Sequence, residues 1–316
     1  MDPCAAPPID GTAGVSFAEA IRFLTEGACP RQLGADVGYL EATRVSVARG
    51  RVLDEAGKPL VGAKVLAPRE PKLGQTTTDA EGRFSFVVLG GGSSRLRFEA
   101  QNKLLAHRSV SPRVNRFVAL DDVVLVAPSA KATPLTFGAT EWQVASGETS
   151  RDASEARTAV VLVPPGTRAE VVKANGDKAP LERGSLRITE YTRGSTGPAA
   201  MPGELPPASA YTYASAFTLD EVGVEPRVSF SAPVVTYVDN FLHRKVGAPV
   251  PAGVLEDGDT GWKAEASGRI VAVLPGPSLD TDGDGQADDA ASLAAAGITV
   301  GELASLGKGG IAPGKS

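Results

Sequence analysis

The sequence predicts a mainly β protein, with tandem β-sandwich modules, a metal-loop junction and short C-terminal helices. Apolar and polar residues alternate with a period of two over many short stretches, as in strands that bury one face. The 36 Gly and 24 Pro are spread over the 316 residues, which suits short strands joined by tight turns. The Asp-rich stretch 280–289 predicts the loop.

Length and charge limit the classes of function. A chain of 316 residues can form two or three domains, each with its own core. Lys and Arg form no run and the net charge is -5, so we expect no nucleic-acid partner. No apolar run reaches the roughly 18–20 residues of a membrane span. The start Met1–Cys4 shows no signal peptide, which leaves a cytosolic start, a non-standard export route or trimming open.

The only two cysteines, Cys4 and Cys29, both lie near the N-terminus. They can close a loop of about 25 residues, worth on the order of 3 kcal/mol, or remain two free thiols. Together with two separated histidines, His107 and His243, they do not supply a four-ligand zinc site.

Changes in pattern divide the chain into four regions. Residues 1–43 are mostly irregular, with one helix expected around Phe17–Thr25. Residues 44–127 contain strands such as Val45–Val52, with turn signals at Gly57 and Gly82. The other two regions are a second β-rich stretch, 128–275, and a segment with the loop, short helices and a flexible tail, 276–316.

In the second β-rich region, Thr158–Val163 is a continuous apolar run and Asn175-Gly176 predicts a hairpin with a type I′ turn. Two of the further strands expected here, Arg227–Phe230 and Val234–Val238, are expected to pair with each other. The full set is Ser185–Thr192, Tyr211–Leu219, Arg227–Phe230, Val234–Val238 and Arg269–Leu274. The region forms one β-sandwich or two small ones.

The Asp-rich stretch carries the sharpest chemical signal in the chain. It has carboxylates at relative positions 1, 3, 5 and 9 and Gly at position 6, as in the first nine places of an EF-hand loop. We therefore predict one Ca²⁺ ion as cofactor, with five ligand residues. These are Asp280, Asp282, Asp284, Gln286 through its backbone carbonyl, and Asp288.

Position 12 of this loop is Ala291, where an EF-hand has a bidentate Glu. Loss of that ligand weakens the affinity for Ca²⁺ and predicts a structural calcium site instead of a sensor. Asp289 or a residue outside the loop can take the place of the missing ligand. A solvated acidic turn and a Mg²⁺ site are the alternatives. A second acidic cluster, Glu256–Asp259, fits a hairpin tip better than a metal site.

We expect no enzyme, because the sequence has no nucleophile elbow, His-Glu-x-x-His motif or phosphate loop. His107 is expected at a strand end and His243 on the surface. Six aromatic residues are more readily explained as core anchors than as a sugar-stacking platform. They are Trp142, Tyr191, Tyr211, Tyr213, Tyr237 and Trp262.

Residues 44–127 resemble the carboxypeptidase regulatory-like domain, a transthyretin-like β-sandwich. The resemblance rests on Gly50–Val52, Gly57–Val65 and Thr78–Phe86. Strand geometry supports it, because Phe84 and Phe86 lie two residues apart and so point to one face. The resemblance implies that the domain is a rigid spacer or, as in some relatives, a carbohydrate-binding module.

The order of several stretches resembles the N-terminal region of bacterial RHS/YD-repeat proteins, which are large, teneurin-like surface and toxin proteins. The stretches are Phe23–Gly27, Val47–Val52, Gly74–Gly92, Leu120–Leu125, Thr189–Thr192, Gly197–Pro207, Asp239–Leu242, Val246–Gly247, Val250–Pro251 and the Asp-rich loop. The YD repeats themselves, which form a shell around cargo in that family, are absent from this sequence.

The resemblance implies a non-enzymatic scaffold segment of an exported or cell-surface protein, stabilised by calcium, that caps or plugs the repeat shell. Its expected partner is that shell or the downstream part of a larger protein. The alternative is a carbohydrate- or cell-surface-binding module, with a glycan or a protein as partner.

Overall fold

A computed structural model of the chain confirms the mainly β class. It describes residues 14–152, 155–173, 175–194, 196–204, 211–223, 227–255, 261–276 and 278–311, together with Ala6, Pro8 and Thr12. The chain divides into two compact units. The first comprises Met1–Ala127 and Ser195–Tyr211, and the second comprises Pro128–Gly194 and Thr212–Ser316.

The first unit begins with helix α1 (Phe17–Ile21), which continues into a 3-10 turn, Arg22–Leu24. This confirms the predicted N-terminal helix, and Phe17, Ile21 and Leu24 pack in one apolar cluster. Nine strands follow: β1 (Gln32–Leu33), β2 (Val45–Leu53), β3 (Lys64–Leu66), β4 (Gln75–Thr77), β5 (Arg83–Leu89), β6 (Ser94–Glu99), β7 (Ala106–Val110), β8 (Phe117–Ala119) and β9 (Val123–Val124).

These strands form two sheets around one core. The order in the first sheet is β1-β4-β3-β6-β7, with every neighbouring pair antiparallel. The second sheet has the order β5-β2-β8, and β8 and β9 both run parallel to β2. As predicted, Phe84 and Phe86 both lie in the core between the sheets.

Two tight turns at one end of this sandwich are built alike. Asp54 N donates to Lys58 O and Gly57 N donates to Asp54 O, with a φ of 75° at Gly57. Asp79, Arg83 and Gly82 repeat the pattern, with a φ of 71° at Gly82. Both glycines adopt the left-handed conformation that a side chain disfavours, as the turn signals predicted.

A segment without strands, residues 196–204, covers the edge of β7. Helix α2 (Gly197–Ala200) belongs to it, and His107 N donates to Pro202 O at 2.8 Å. The Arg108 guanidinium binds the same segment, donating to Ala199 O at 2.7 Å and to Met201 O at 3.0 Å. The first of these bonds satisfies an edge N–H of β7 that could otherwise pair with another strand, and the two guanidinium bonds satisfy carbonyls of the covering segment.

His107 lies within β7, not at a strand end as expected, and it is 3% exposed. Neither ring nitrogen has a hydrogen-bond partner within the described part of the chain. Burial, reinforced by the positive charges of Arg95, Arg97 and Arg108, lowers the pKa of the imidazole to about 4.

We predict that His107 makes the first unit acid-sensitive. As the pH falls below about 6.5, the unfolded chain takes up a proton on His107 before the folded chain does. Stability is complete above that pH and falls progressively toward pH 4, by on the order of 3 kcal/mol. Urea unfolding of wild type and His107→Gln between pH 7 and 4 measures this. Parallel pH profiles for the two proteins would contradict it.

The second unit contains fifteen described strands and two helices. The strands are β10 (Ala132–Thr136), β11 (Gln143–Ser146), β12 (Ser150–Asp152), β13 (Glu155–Arg157), β14 (Ala159–Val163), β15 (Ala169–Val172), β16 (Lys178–Leu181), β17 (Arg183–Glu190), β18 (Ser215–Leu219), β19 (Arg227–Phe230), β20 (Val235–Val238), β21 (Pro249–Leu255), β22 (Trp262–Arg269), β23 (Ala272–Leu274) and β24 (Ser278–Asp280). Helices α3 (Ala290–Ala295) and α4 (Val300–Leu306) follow, as predicted for this segment.

Three three-stranded sheets surround the main core of this unit, with the orders β10-β17-β18, β11-β14-β20 and β16-β15-β19. The expected pairing of β19 with β20 is wrong. The strand β19 pairs with β15, whereas β20 pairs with β14. The two strands therefore belong to different sheets.

The hairpin between β15 and β16 is confirmed, but its predicted type I′ turn is wrong. Lys173 N donates to Asp177 O, and Gly176 N donates to Lys173 O. Gly176 has a φ of 88°, whereas Asn175 is not among the residues with positive φ. Three residues lie between Lys173 and Asp177, whereas a type I′ hairpin has a two-residue loop. The loop is therefore of the three-residue kind, with a left-handed glycine at Gly176.

The apolar run at Thr158–Val163 is explained by β14, which is buried on both faces. Ala159, Val161 and Val163 point into the main core. Val160 and Leu162 point into a second core, formed with Leu279 of β24, Leu293 of α3 and Leu306 of α4. The C-terminal segment therefore folds back over the sheet that contains β14.

We predict that this second core is required for stability. Leu162→Ala removes a side chain with 0% exposure and should cost about 2–5 kcal/mol of the free energy of unfolding. Val300→Ala is the control, because Val300 is 77% exposed and its truncation should change stability by less than about 0.5 kcal/mol. Chemical denaturation measures both, and equal losses would contradict a core on this face.

Candidate metal centre

The Asp-rich loop joins the last strand to the last two helices. The strand β24 pairs with β23, and its final residue, Asp280, is 2% exposed. At the other end of the loop, Asp289 is the N-cap of α3, where its carboxylate accepts from Ser292 N at 2.7 Å. The loop therefore connects two elements that contribute to the same apolar core.

The Asp280 carboxylate organises the loop through backbone hydrogen bonds. It accepts from the N–H of Asp282 at 3.1 Å, of Gly283 at 2.6 Å and of Gly285 at 3.0 Å. Burial opposes ionisation of this group, but the three N–H donors outweigh it and lower the pKa of Asp280 below its usual value. The carboxylate is thus held ionised at the centre of the loop.

The following turns repeat the same bond pattern. Asp282 Oδ1 accepts from Asp284 N at 3.0 Å, and Asp284 Oδ1 accepts from Gln286 N at 2.7 Å. Each carboxylate folds over the backbone two residues ahead, which is the geometry of an Asx-turn. Successive turns of this kind curl the chain and bring the acidic side chains to one side.

Close backbone packing fixes where the loop lies in the unit. A Cβ added to Gly283 would meet Val246 O at 2.8 Å, and one added to Gly247 would meet Asp282 O at 2.8 Å. Both glycines have positive φ, 86° and 82°. The loop backbone therefore rests directly on the segment before β21, and a side chain at either position would separate them.

The loop brings three carboxylates together. Ligand oxygens of Asp280, Asp282 and Asp284 lie within 4.8 Å of one another. Carboxylate oxygens are the donors that hard divalent cations such as Ca²⁺ and Mg²⁺ take in proteins. Asp282 and Asp284 are exposed and Asp280 is buried. This cluster can bind a metal ion, with two of its three carboxylates open to solvent.

The other two predicted ligands lie in the same loop. The Asp288 carboxylate accepts from Thr281 N at 2.8 Å, and Asp288 N donates to Leu279 O, so this residue closes the loop. Gln286 is exposed, and its side chain contacts Asp284 Oδ2 at 3.4 Å. Ala291 lies in α3 and supplies no ligand atom.

The remaining sequence-predicted candidates do not form a site within the described part of the chain. His243 is exposed, as expected, and its Nε2 lies 3.2 Å from Glu155 Oε1. The acidic cluster Glu256–Asp259 lies outside the described residues. Tyr191 is 7% exposed, whereas Tyr213 and Tyr237 pack against two different cores. These tyrosines are core anchors, as predicted, and do not line one sugar-binding face.

A buried ionic cluster in the second unit was missed by sequence reasoning. Arg157 donates from Nε to Glu190 at 2.7 Å and from both terminal nitrogens to Asp152, at 2.9 and 2.8 Å. It also donates to Thr192 O at 3.2 Å and lies 4.7 Å from the Phe241 ring centroid. Its bonds to Asp152, and then those to Glu190, outweigh burial and raise the pKa of the guanidinium.

A signal for this cluster exists in the sequence. Arg157 lies two residues before Ala159, and side chains two residues apart along a strand point to the same face. Arg157 therefore points to the face that Ala159 turns to the main core. Extending the strand pattern backwards would have placed a charge on a buried face. Such a charge must be paired with acids from elsewhere in the fold.

We predict that Arg157 is essential for the stability of the second unit. Arg157→Ala leaves the buried Glu190 and the partly buried Asp152 without their shared partner, which should cost about 3–5 kcal/mol. Arg157→Lys should recover only part of this, because an ammonium cannot replace the two-pronged contact.

The matched control is Lys178→Ala. Lys178 pairs with Glu170 at 3.3 Å on the surface of the same unit, with both side chains about half exposed, so the loss should stay below about 1 kcal/mol. Thermal and urea unfolding measure all three variants. An Arg157→Ala protein as stable as Lys178→Ala would overturn the assignment.

The first unit defines a β-sandwich domain, with two facing sheets and one core. Residues 40–125 match the family of the Teneurin TTR-like domain. This part of the chain is therefore a transthyretin-like β-sandwich.

Two relatives support the match. Teneurin-1 of Gallus gallus is 33% identical over 119 residues, which are 38% of this chain. Teneurin-3 of Danio rerio is 33% identical over 113 residues, which are 36% of this chain. The aligned stretch spans only 4% of the length of either relative.

Similar solved structures include hydroxyquinol 1,2-dioxygenase from Pseudomonas putida DLL-E4, at 14% identity over 28% of this chain and 58% of that chain. A streptococcal ancillary pilin is 12% identical over 58% of this chain and 61% of its own. The TM-score is 0.22 in both cases. Among the described helices none could cross a membrane, since the longest has seven residues.

Proposed function

We propose that this chain is a non-enzymatic scaffold segment of a larger RHS/YD-repeat-type protein, with its second unit stabilised by a bound Ca²⁺ ion. The observation that carries the proposal is the position of the acidic loop between β24 and α3. Leu279 before the loop and Leu293 after it lie in one core. An ion held in the loop thus restrains the two elements that close this core.

The choice of Ca²⁺ follows from the donor set. The proposed ligands are carboxylates of Asp280, Asp282, Asp284 and Asp288 and the carbonyl of Gln286, all of them hard oxygen donors. Mg²⁺ demands near-octahedral geometry with shorter bonds and usually keeps several waters, binding through only one or two carboxylates, whereas Ca²⁺ accepts a larger set of protein oxygens such as the one proposed here. With Ala291 at that position, we expect weak, extracellular-type affinity and no opening of a helix pair.

An exported or cell-surface location and a repeat-shell partner complete the proposal. Cys29 is disulfide-bonded, and disulfides persist in oxidising compartments; Cys4 lies outside the described residues. The match to the Teneurin TTR-like domain and the far greater length of the relatives support a scaffold within a longer protein. In that protein, the segment would cap or plug a YD-repeat shell.

We predict that Ca²⁺ raises the melting temperature of the metal-stripped chain. At a free Ca²⁺ concentration about a hundred times the dissociation constant, binding adds about 2.7 kcal/mol, which corresponds to about 5–10 °C for a unit of this size. Asp282→Ala should remove this response, because it deletes an exposed ligand without touching the core. Differential scanning calorimetry with and without EDTA measures the shift.

The control is Glu141→Ala, which removes an exposed acid outside the loop in the same unit and should leave the calcium response intact. Mg²⁺ in place of Ca²⁺ should give a much smaller shift. Identical melting curves of stripped wild type with and without Ca²⁺ would rule out the calcium clamp.

A further inference from the structure

The hairpin of β21 and β22 has little cover. The two strands pair only with each other within the described part of the chain. All residues of β21 except Leu255 are exposed, and so are all residues of β22 except Trp262. A two-stranded hairpin without a covered face is marginally stable in water, so a third strand would add substantially to its stability.

The two outer edges of this hairpin differ. The edge of β21 contains Pro249 and Pro251, which have no N–H to donate to another strand. The edge of β22 contains no Pro in any of its eight residues. The β22 edge is therefore the one that can accept another strand.

The charges on β22 select the incoming strand. Lys263 and Glu265 lie two residues apart on one face, opposite Val254 and Ala252 of β21. A lysine on an edge disfavours pairing with most strands. An antiparallel copy of β22 centred on Ala264, however, places Lys263 of each copy opposite Glu265 of the other, which is favourable.

Three neighbouring registers of the same pairing oppose like charges. Centring on Lys263 or on Glu265 places that residue opposite itself, and centring on Ala266 places Lys263 opposite Arg269. A register shift between Val250 and Ala252 marks a bulge, which ends the regular part of β22 on the C-terminal side. Only the Ala264 register pairs unlike charges within the regular stretch.

We propose that the β22 edge binds a second copy of this chain, forming a two-fold symmetric antiparallel strand pair centred on Ala264. The surface buried by one strand pair is small, so the dimer is weak and reversible. It joins the two hairpins into a four-stranded sheet and leaves both β21 edges blocked by proline, so assembly ends at two copies.

Charge reversal in the whole chain tests this proposal. Residue 263 of each copy lies opposite residue 265 of the other, so Lys263→Glu and Glu265→Lys each create two pairs of like charges. Each variant should weaken self-association about tenfold or more. An equimolar mixture of the two variants restores both opposite-charge pairs and should dimerise as wild type does. The double variant, Lys263→Glu with Glu265→Lys, should also recover.

Sedimentation equilibrium over a wide concentration range provides the readout, with the mass rising from 32.4 kDa toward twice that value. Glu141→Lys is the control charge reversal and should leave dimerisation unchanged. A chain that stays monomeric at every concentration, or single variants that associate as wild type does, would overturn the proposal. So would a mixture of the two variants that fails to associate.

A cysteine on the axis gives a second readout. Directly opposed residues of antiparallel strands have Cα atoms about 4.5–5.5 Å apart, within the range of a disulfide. Under mild oxidation, Ala264→Cys should cross-link two chains, whereas Ser267→Cys should not. Equal cross-linking of the two variants would contradict the register.

Discussion

The second unit depends on a strand that has no solvent side. Both faces of β14 are apolar and buried, as in the central strands of sheets covered on both sides. The sheets of the main core cover one face, and the C-terminal segment covers the other. Gly301 and Gly309 permit this contact, since a Cβ would lie 2.3 Å from Trp142 Nε1 at Gly301 and 2.7 Å from Val160 Cγ1 at Gly309.

This constraint gives the acidic loop its role. The chain must reverse between β24 and α3 to bring Leu279 and Leu293 into one core. Asp280 forms the turn by accepting hydrogen bonds from three backbone N–H groups of the loop, so the protein's own bonds contribute to the shape of the loop. Downstream, Tyr237 donates to the buried Glu302 of α4 at 2.6 Å. The helices are thus anchored at two points, which suits a clamp and leaves little freedom for a sensor.

Local patterns predicted the parts of the structure that depend on local chemistry. The period-two alternation of Val45–Val52, the left-handed glycines at Gly57 and Gly82, and the two short C-terminal helices all follow from near neighbours in sequence. Strand partners do not, because pairing is decided by which apolar faces meet across long separations. The separate sheets of β19 and β20 therefore had no local signal.

The acidic loop was recognisable because its residues lie within ten positions. The Arg157 cluster was harder to recognise, since it joins Asp152, five residues before Arg157, to Glu190, 33 residues after it, and no local pattern indicates the distant partner. Membership of residues 195–211 in the first unit was likewise hidden. Nothing in the sequence of the described residues 196–204 indicates which sheet edge they cover.

Arg157 and Arg108 bind backbone carbonyls on either side of Gly194, where the chain leaves the second unit for the first. Thr192 O, near the end of the second-unit stretch, accepts from Arg157. Ala199 O and Met201 O, in the first unit, accept from Arg108. Irregular backbone has no ladder partner for its carbonyls, and these must be satisfied when they are buried. A guanidinium presents several donors in a fixed plane, whereas an ammonium is a single point of charge. Arginine is therefore the side chain suited to both positions, and the regular sheets alone would not hold this segment.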